Sequence, residues 1–195
     1  MTKRLGWLGA LTMIALATLS CTDGDAGAPG VTSDDAPAAG VTTATLELAT
    51  EIGVRNARMP RPGLLTGGQP SVEQLDALTA AGVTRVISLR PADEEGAGWE
   101  EAYAAGFAYD FDRLEISGAE SLTRENVDAF AALLQESEGE PTLLYCASGN
   151  RVGAMLALKA FWIDGETPEA ALELALASGL TRLEGPVREL LGLTP

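Results

Sequence analysis

One short segment of the sequence combines residue types that could form a reactive centre. Cys146 is followed by three small residues and then by Asn150 and Arg151. An ionised cysteine is a strong nucleophile, and an arginine guanidinium is a planar fork of donors that fits two oxygens of a phosphoryl group or another oxyanion. The segment therefore predicts a nucleophile beside an anion-binding group.

The flanking elements are expected to shape this segment into an anion cradle. Thr142–Tyr145 predicts a short strand ending at Cys146, and Val152–Ile163, whose only charged residue is Lys159, predicts a buried helix. Free amides at a helix start attract anions, and the same field should lower the pKa of the Cys146 thiol. The amides expected to bind a phosphate belong to Ala147, Ser148, Gly149 and Asn150.

Strand and helix patterns alternate through the rest of the chain. Strands are predicted at Gly63–Thr66, at Val83–Leu89 and from Phe107 to Phe111, where apolar residues cluster or alternate. Helices are predicted after the capping residues Ser71, Thr123 and Thr167. This alternation predicts an α/β fold with a central, mostly parallel sheet flanked by helices.

Composition excludes several classes of function. The 195 residues carry 13 Lys and Arg against 28 Asp and Glu, a net charge of −15, which would repel a nucleic acid backbone. The sequence contains no histidine, which excludes a histidine-based triad and the usual histidine-containing metal sites. No acidic cluster has the spacing of a calcium loop. We therefore expect neither a metal nor a cofactor.

The N-terminus predicts an exported protein. Lys3 and Arg4 precede the uncharged run Leu5–Ser20, and Cys21 follows as in a bacterial lipoprotein box. An uncleaved anchor or a plain secretory signal is the alternative. We expect a signal peptide at 1–20, a flexible Ala, Gly, Asp and Pro-rich linker at 21–44 and a folded domain at 45–195. The domain would lie in the periplasm or cell envelope, attached to the membrane through lipidated Cys21.

From about Arg55 onward the chain resembles the β-lactamase hydrolase-like phosphatases, a branch of the dual-specificity and tyrosine phosphatase superfamily. The resemblance rests on Leu64–Pro70, Val86–Pro91, Cys146–Gly153 and Gly179–Glu184, in that order. It implies a cysteine phosphatase-like fold in which Cys146 attacks phosphorus to form a phosphocysteine. By the same resemblance, Arg151 and the loop amides bind the phosphoryl oxygens before water releases phosphate.

The segment differs from the well-studied phosphatases of this superfamily at three points. Four residues rather than five separate Cys146 from Arg151, Tyr145 stands where histidine is usual, and Val152 replaces a serine or threonine whose hydroxyl helps the thiolate leave. Ser148 is a substitute source of that hydroxyl. A six-residue loop is also typical of rhodanese-type sulfurtransferases, which predicts a Cys146 persulfide as one alternative. An oxyanion-binding module without turnover is another.

A phosphatase also needs an acid to protonate the leaving oxygen. The candidates are Asp112, Glu115 and Glu120, although an acid in such a position is more often a solvated loop charge. Arg90 is expected to pair with Glu94 or Glu95 or to line the pocket mouth. The substrate class is a phosphorylated small molecule, lipid or protein.

Overall fold

The computed structural model describes residues 40–107 and 109–193 of the chain. The predicted signal peptide, Cys21 and nearly all of the predicted linker lie outside these ranges. The α-helices are α1 Thr43–Glu51, α2 Val72–Ala80, α3 Glu100–Ala104, α4 Arg124–Glu136, α5 Asn150–Trp162, α6 Pro168–Ala177 and α7 Glu184–Leu190. The strands are β1 Arg58–Arg61, β2 Leu64–Gly68, β3 Arg85–Ser88, β4 Asp110–Arg113 and β5 Thr142–Cys146.

The strands form one five-stranded sheet in the order β1-β2-β5-β3-β4. β5 is central and runs parallel to β2 and β3, β3 is parallel to β4, and only β1 pairs antiparallel, as a hairpin with β2. The register places Cys146 opposite Gly68 and Tyr145 opposite Ser88. The carboxyl ends of three parallel strands therefore meet around Cys146, the usual position for a ligand site in an open α/β sheet.

Helices cover both faces of the sheet, which confirms the predicted α/β architecture. Successive residues of β5 alternate between two buried clusters, with Leu143 and Tyr145 on one face and Leu144 and Cys146 on the other. The Tyr145 face packs against α1, α2 and α3, and the Cys146 face against α4, α5, α6 and α7. Because α5 is buried nearly all round, it forms the centre of the second cluster.

The elements that the sequence pattern does not predict include α1 and β1. The helix α1 begins at Thr43, two residues before the predicted domain start, and is capped by a box between Thr42 and Thr45. The edge strand β1 contains Pro60 and only one large apolar residue, Met59, so its pattern is weak. Pro60 is tolerated because an edge strand leaves one row of amides unpaired.

Two local expectations were wrong. The predicted strand Gly63–Thr66 ends too early, since Gly67 and Gly68 belong to β2 and both pair with β5. Phe107 does not belong to a strand: β4 begins only at Asp110, and Phe107 is 47% exposed, with its ring stacked on Tyr103. The alternating apolar pattern therefore has another cause at Phe107: its ring stacks on Tyr103 of α3 and takes no part in strand pairing.

Candidate active site

Cys146 occupies the carboxyl end of the central strand, where it is buried and forms no disulfide. The backbone amide of Gly149 donates a hydrogen bond to its Sγ at 3.1 Å. The loop from Ala147 to Gly149 thus curls back over the sulfur before α5 begins. An amide aimed at sulfur stabilises negative charge on it.

The curled loop depends on a left-handed residue and on braces from two distant segments. Gly149 is the N-cap of α5 with φ 84°, a conformation that costs little only for glycine. Asn56 donates its side-chain amide to the carbonyl of Ser148 at 2.9 Å. The Asn150 Oδ1 accepts the backbone amides of Thr181 and Leu183 at 2.9 and 3.2 Å. The Asn150 side chain is therefore a brace, which leaves only its backbone amide for the predicted anion contact.

Arg151 is buried and its guanidinium is held by two partners. Its Nη1 and Nη2 donate to the two carboxylate oxygens of Glu94 at 2.7 and 2.9 Å, and Nη1 also donates to the carbonyl of Ile116 at 2.7 Å. Burial alone lowers the pKa of Arg151, but the Glu94 hydrogen bond and the charge of Cys146 outweigh it and raise the pKa above its usual value. The same hydrogen bond from Arg151 is the main reason that the pKa of Glu94 is lowered. Both groups are therefore charged at neutral pH.

A second arginine reaches the same carboxylate. Arg90 donates from Nε to Glu94 Oε1 at 3.0 Å, which is the predicted ion pair, and from Nη2 to the Glu95 carbonyl at 2.5 Å. Its Nη1 bonds the side-chain oxygen of Gln69, which follows β2. Arg90 and Gln69 thus bridge the strands on either side of β5. A cleft of about 500 Å³ lined by both residues and by Trp99 opens beside this bridge.

A buried polar network supports the loop that carries Arg90 and Glu94. Glu100 is fully buried and accepts hydrogen bonds from the Tyr145 hydroxyl, the Arg113 guanidinium and the Gly98 amide, at 2.9, 2.9 and 2.8 Å. Arg113 in turn donates to the Arg90 carbonyl at 2.6 Å. Tyr145, which stands where histidine is usual, therefore points away from the sulfur and fastens the loop to the end of β5.

The structure separates the three candidate acids. Asp112 pairs with Arg85 at 2.7 Å, and Arg85 lies opposite Thr142, at the end of β5 remote from Cys146. Glu115 is exposed and accepts a hydrogen bond from the Ala92 amide at 3.0 Å. It directly precedes Ile116, whose carbonyl accepts a hydrogen bond from Arg151. Glu120 is exposed in the short 3₁₀ helix Ala119–Ser121 of the same connection. Asp112 is therefore held away from the sulfur, whereas Glu115 borders the site.

Val152 is completely buried in the core beneath the loop and brings no hydroxyl to the sulfur. Ser148 is half-buried on the loop itself. Within the described ranges, the hydrogen bond to Cys146 Sγ comes from the Gly149 amide and from no hydroxyl group. The predicted replacement of the missing hydroxyl by Ser148 is not seen.

Sequence reasoning missed the two carboxylates that organise the site. Glu94 was considered only as a partner for Arg90, and Glu100 was not singled out at all. A signal was present for Glu94, because two buried arginines require a negative partner. For Glu100 the available signal was its place in the first turn of a helix, which is also where solvated acids are common.

Other features of the described residues lie outside this site. Among the described residues, no group of three or more His, Cys, Asp or Glu side chains is placed to hold a metal ion. No helix in the described part of the chain is both long enough and apolar enough to cross a membrane. A groove of about 540 Å³ between β1, α4 and the end of α5 lies near Lys159 and Asp164, at the opposite end of α5 from Cys146.

Known proteins share this fold. The chain is 20% identical to a candidate phosphatase from Shewanella putrefaciens, with a TM-score of 0.58 over 75% of this chain and 96% of that one. It is 18% identical to TpbA from P. aeruginosa, solved in complex with pTyr, with a TM-score of 0.50 over 70% of this chain and 90% of that one. At these identities the likeness shows the fold, a cysteine phosphatase-like α/β domain.

Sequence comparisons extend the match beyond fold. The chain is 28% identical over 114 residues to a β-lactamase hydrolase-like protein of Agrobacterium fabrum. The matched segment covers 56% of this chain and 26% of that protein. The chain thus spans about a quarter of that relative's length. A protein-family model described as DSP-PTPase phosphatase fused to NAD+ kinase matches residues 46–180, most of the folded part. Through that match, which includes the whole loop from Cys146 to Arg151, the chain belongs to this family of dual-specificity and tyrosine phosphatase-like proteins.

Proposed function

We propose that this protein is a cysteine-dependent phosphatase that hydrolyses phosphomonoesters through a phosphocysteine on Cys146. The observation that carries the proposal is the Gly149 amide directed at Cys146 Sγ, in a loop that is followed in the first turn of α5 by the buried Arg151. A sulfur stabilised in this way inside an anion-binding loop is a nucleophile aimed at the bound anion. Membership of a phosphatase family favours this reaction over the sulfur transfer that the short loop also allows.

In the first step, Cys146 Sγ attacks phosphorus, the S–P bond forms and the P–O bond to the leaving group breaks. The leaving oxygen takes its proton from an acid, for which Glu115 or Glu120 is the candidate. In the second step, water gives a proton to the carboxylate left by the first step and its oxygen attacks phosphorus. The S–P bond breaks, and inorganic phosphate leaves with the thiolate and the acid restored. Without a hydroxyl at Val152 to assist the departing thiolate, we expect this second step to be the slower one.

Arg151 is the proposed phosphoryl-binding residue. Its hydrogen bonds within the described residues use both Nη1 donors and one of the two on Nη2. Nε–H and the remaining Nη2–H lie along one edge of the guanidinium and form the two-donor fork that fits two phosphoryl oxygens. The loop amides of Ala147, Ser148 and Asn150 are proposed to bind the same oxygens.

The cellular setting remains part of the proposal. We propose an exported protein attached to a membrane by a lipid on Cys21, through the acidic and small-residue linker that follows it. The proposed substrates are phosphorylated small molecules, lipids or proteins. The TpbA complex with pTyr supports a phosphorylated ligand for this fold.

The test is hydrolysis of an aryl phosphate by the purified protein and by Cys146→Ser and Asp93→Asn. We expect phosphate release that vanadate blocks, that is abolished in Cys146→Ser and that is retained in Asp93→Asn, an exposed change on the neighbouring loop. Thiocyanate formation from thiosulfate and cyanide, without phosphate release, would instead establish sulfur transfer. Phosphate binding with neither reaction would establish a binding module.

A further inference from the structure

Most basic side chains in the described ranges are neutralised by acidic neighbours. Ion pairs join Arg85, Arg90, Arg113, Arg124, Arg151, Lys159 and Arg188 to carboxylates. The exceptions among the described residues are Arg55, Arg58, Arg61 and Arg182, all of them exposed. In a chain with a net charge of −15, cations left without a carboxylate are unusual and call for an explanation.

Arg55 is tied to the Cys146 loop by its own backbone and by its neighbour. The Gly68 amide donates to the Arg55 carbonyl at 2.7 Å, and Gly68 lies directly opposite Cys146 in the sheet. A methyl group added to Gly68 would come within 3.0 Å of both the Arg55 Cβ and the Ala147 carbonyl. The next residue, Asn56, holds the Ser148 carbonyl. The Arg55 side chain therefore starts at the rim of the anion cradle, by which we mean the residues that border the Cys146–Arg151 loop.

Arg182 is held at the same rim by a separate anchor. The residues on either side of it, Thr181 and Leu183, both donate their amides to the Asn150 side chain. Asn150 is the first residue of α5 and belongs to the proposed phosphate loop. The hydrogen bonds thus fix the Arg182 backbone beside the loop while its side chain stays exposed.

Arg58 and Arg61 have a different explanation. They lie on the edge strand β1, progressively farther along the hairpin from Gly68. Charged side chains on an edge strand prevent its unpaired backbone from pairing with another molecule. Among the described residues, neither arginine nor its sequence neighbours form a hydrogen bond to the Cys146–Arg151 loop, in contrast to the neighbours of Arg55 and Arg182. They are therefore matched controls: exposed arginines of the same molecule with no contact to the loop.

We propose that the substrate carries at least one further anionic group besides the phosphoryl group bound at Cys146, as in an organic bisphosphate or a phosphorylated carboxylic acid, and that Arg55 and Arg182 bind that group. The inference rests on the proposed function. The net negative charge of the protein does not oppose it, because salt screens charges beyond about 8–10 Å, and the backbones of both arginines are held next to Gly68 and Asn150.

The test compares the affinities of inorganic phosphate and methylenebisphosphonate for the Cys146→Ser protein, measured by calorimetry. We expect the bisphosphonate to bind about tenfold more tightly than phosphate in low salt, with an advantage that shrinks as salt screens the arginines. Arg55→Gln and Arg182→Gln should each reduce this affinity ratio about two- to fivefold, as for an exposed charge pair. Arg58→Gln and Arg61→Gln should leave the ratio as it is.

Each other result overturns a definite claim. Phosphate binding with no preference for the bisphosphonate overturns this inference and leaves the proposed function standing. The same holds if the Arg58 and Arg61 variants reduce the ratio as much as the Arg55 and Arg182 variants do. Binding of neither anion overturns the proposed function together with the inference.

Discussion

At the level of single residues, Glu94 holds two guanidinium groups at once, those of Arg90 and Arg151. A carboxylate this close to the proposed anion site would repel the ligand, so its presence needs a compensating effect. The geometry supplies one, because Glu94 takes the Nη1–Nη2 edge of Arg151 and leaves the other edge for the proposed phosphoryl group. Glu94 thus orients Arg151 at some cost in the attraction for anions.

This balance predicts opposite effects on binding and turnover for Glu94→Gln. Turnover of an aryl phosphate should fall about tenfold because Arg151 loses its orientation, whereas phosphate should bind no more weakly because a repelling charge is gone. Steady-state kinetics and phosphate titration measure the two quantities. Asp93→Asn, one residue earlier and exposed, is the control. An unchanged turnover number in Glu94→Gln would show that Arg151 needs no such support.

Arg151→Lys separates charge from shape at the same position. Lysine keeps the positive charge but is a point donor without the planar fork, and it cannot match both Glu94 oxygens. We expect vanadate affinity to fall about tenfold or more, since hydrogen bonds between charged groups contribute about 1.5–3 kcal/mol each. Inhibition by vanadate measures this change. Equal affinity in the two proteins would mean that charge alone binds the anion.

At the level of elements, α5 reaches the site only because α6 and the segment after it pack closely against its first turns. A methyl group added to Gly153 would lie 2.6 Å from the Leu180 amide nitrogen and 2.7 Å from the Ala175 carbonyl oxygen. Both neighbours are backbone atoms, so neither can rotate away. Close approach, rather than a special backbone angle, therefore requires glycine at this position.

The helical glycines offer a matched pair of substitutions. Gly153→Ala should lower the free energy of unfolding by about 1–3 kcal/mol through overpacking, despite the higher helix propensity of alanine. Gly185 is also helical, in α7, but has open space around it. Gly185→Ala should therefore be neutral or stabilising, by up to about 1 kcal/mol. Urea unfolding measures both, and equal effects would contradict the packing argument.

The loop after β3 depends in the same way on the buried Glu100. Arg113 binds two carboxylates, the fully buried Glu100 and the partly exposed Glu101. Glu100→Gln should cost about 1–3 kcal/mol, because an amide NH2 in place of one carboxylate oxygen leaves buried donors without an acceptor, even though Arg113 keeps Glu101. Glu101→Gln should cost less than about 1 kcal/mol. Thermal and urea unfolding test this difference, and similar costs would show that burial does not matter here.

At the level of the whole molecule, carboxyl groups whose pKa is lowered in the folded state make stability depend on pH. The pKa of Glu94 is lowered chiefly by its hydrogen bond from Arg151, and that of Glu101 chiefly by its hydrogen bond from Arg113. A carboxyl whose pKa is lower in the folded state binds fewer protons there than in the unfolded chain. Its contribution to stability is therefore complete above the unfolded value, near 4.5, and is lost as the pH falls through the folded value.

The expected result is a steep loss of unfolding free energy between pH 5 and pH 3. The Glu94→Gln, Glu101→Gln double variant should be less stable at pH 7 and should lose less over this interval, since it lacks the two carboxyls concerned. Denaturant unfolding at pH 7, 5 and 3 measures both proteins. Parallel losses in the two proteins would assign the acid sensitivity to other groups.

Local features could be predicted because neighbouring residues encode them. The helices predicted after Ser71 and Thr123 begin as expected, and both side chains cap them. The strand ending at Cys146 and the buried helix after it also form. Each depends on hydrophobic spacing and on caps within a few positions of the chain. For the same reason the weakly patterned β1 was missed.

The sequence by itself determined the α/β class, the position of the Cys146–Arg151 loop between a strand and a buried helix, and the family, since these depend on contiguous patterns. Only the tertiary structure decided which groups surround that loop. Glu94 is 57 positions from Arg151 along the chain, and Glu100 is 45 positions from Tyr145. Contacts of such separation depend on strand order and register, which place the ends of β2, β3 and β5 side by side. No local pattern carries that register, because it results from packing both faces of the sheet at once.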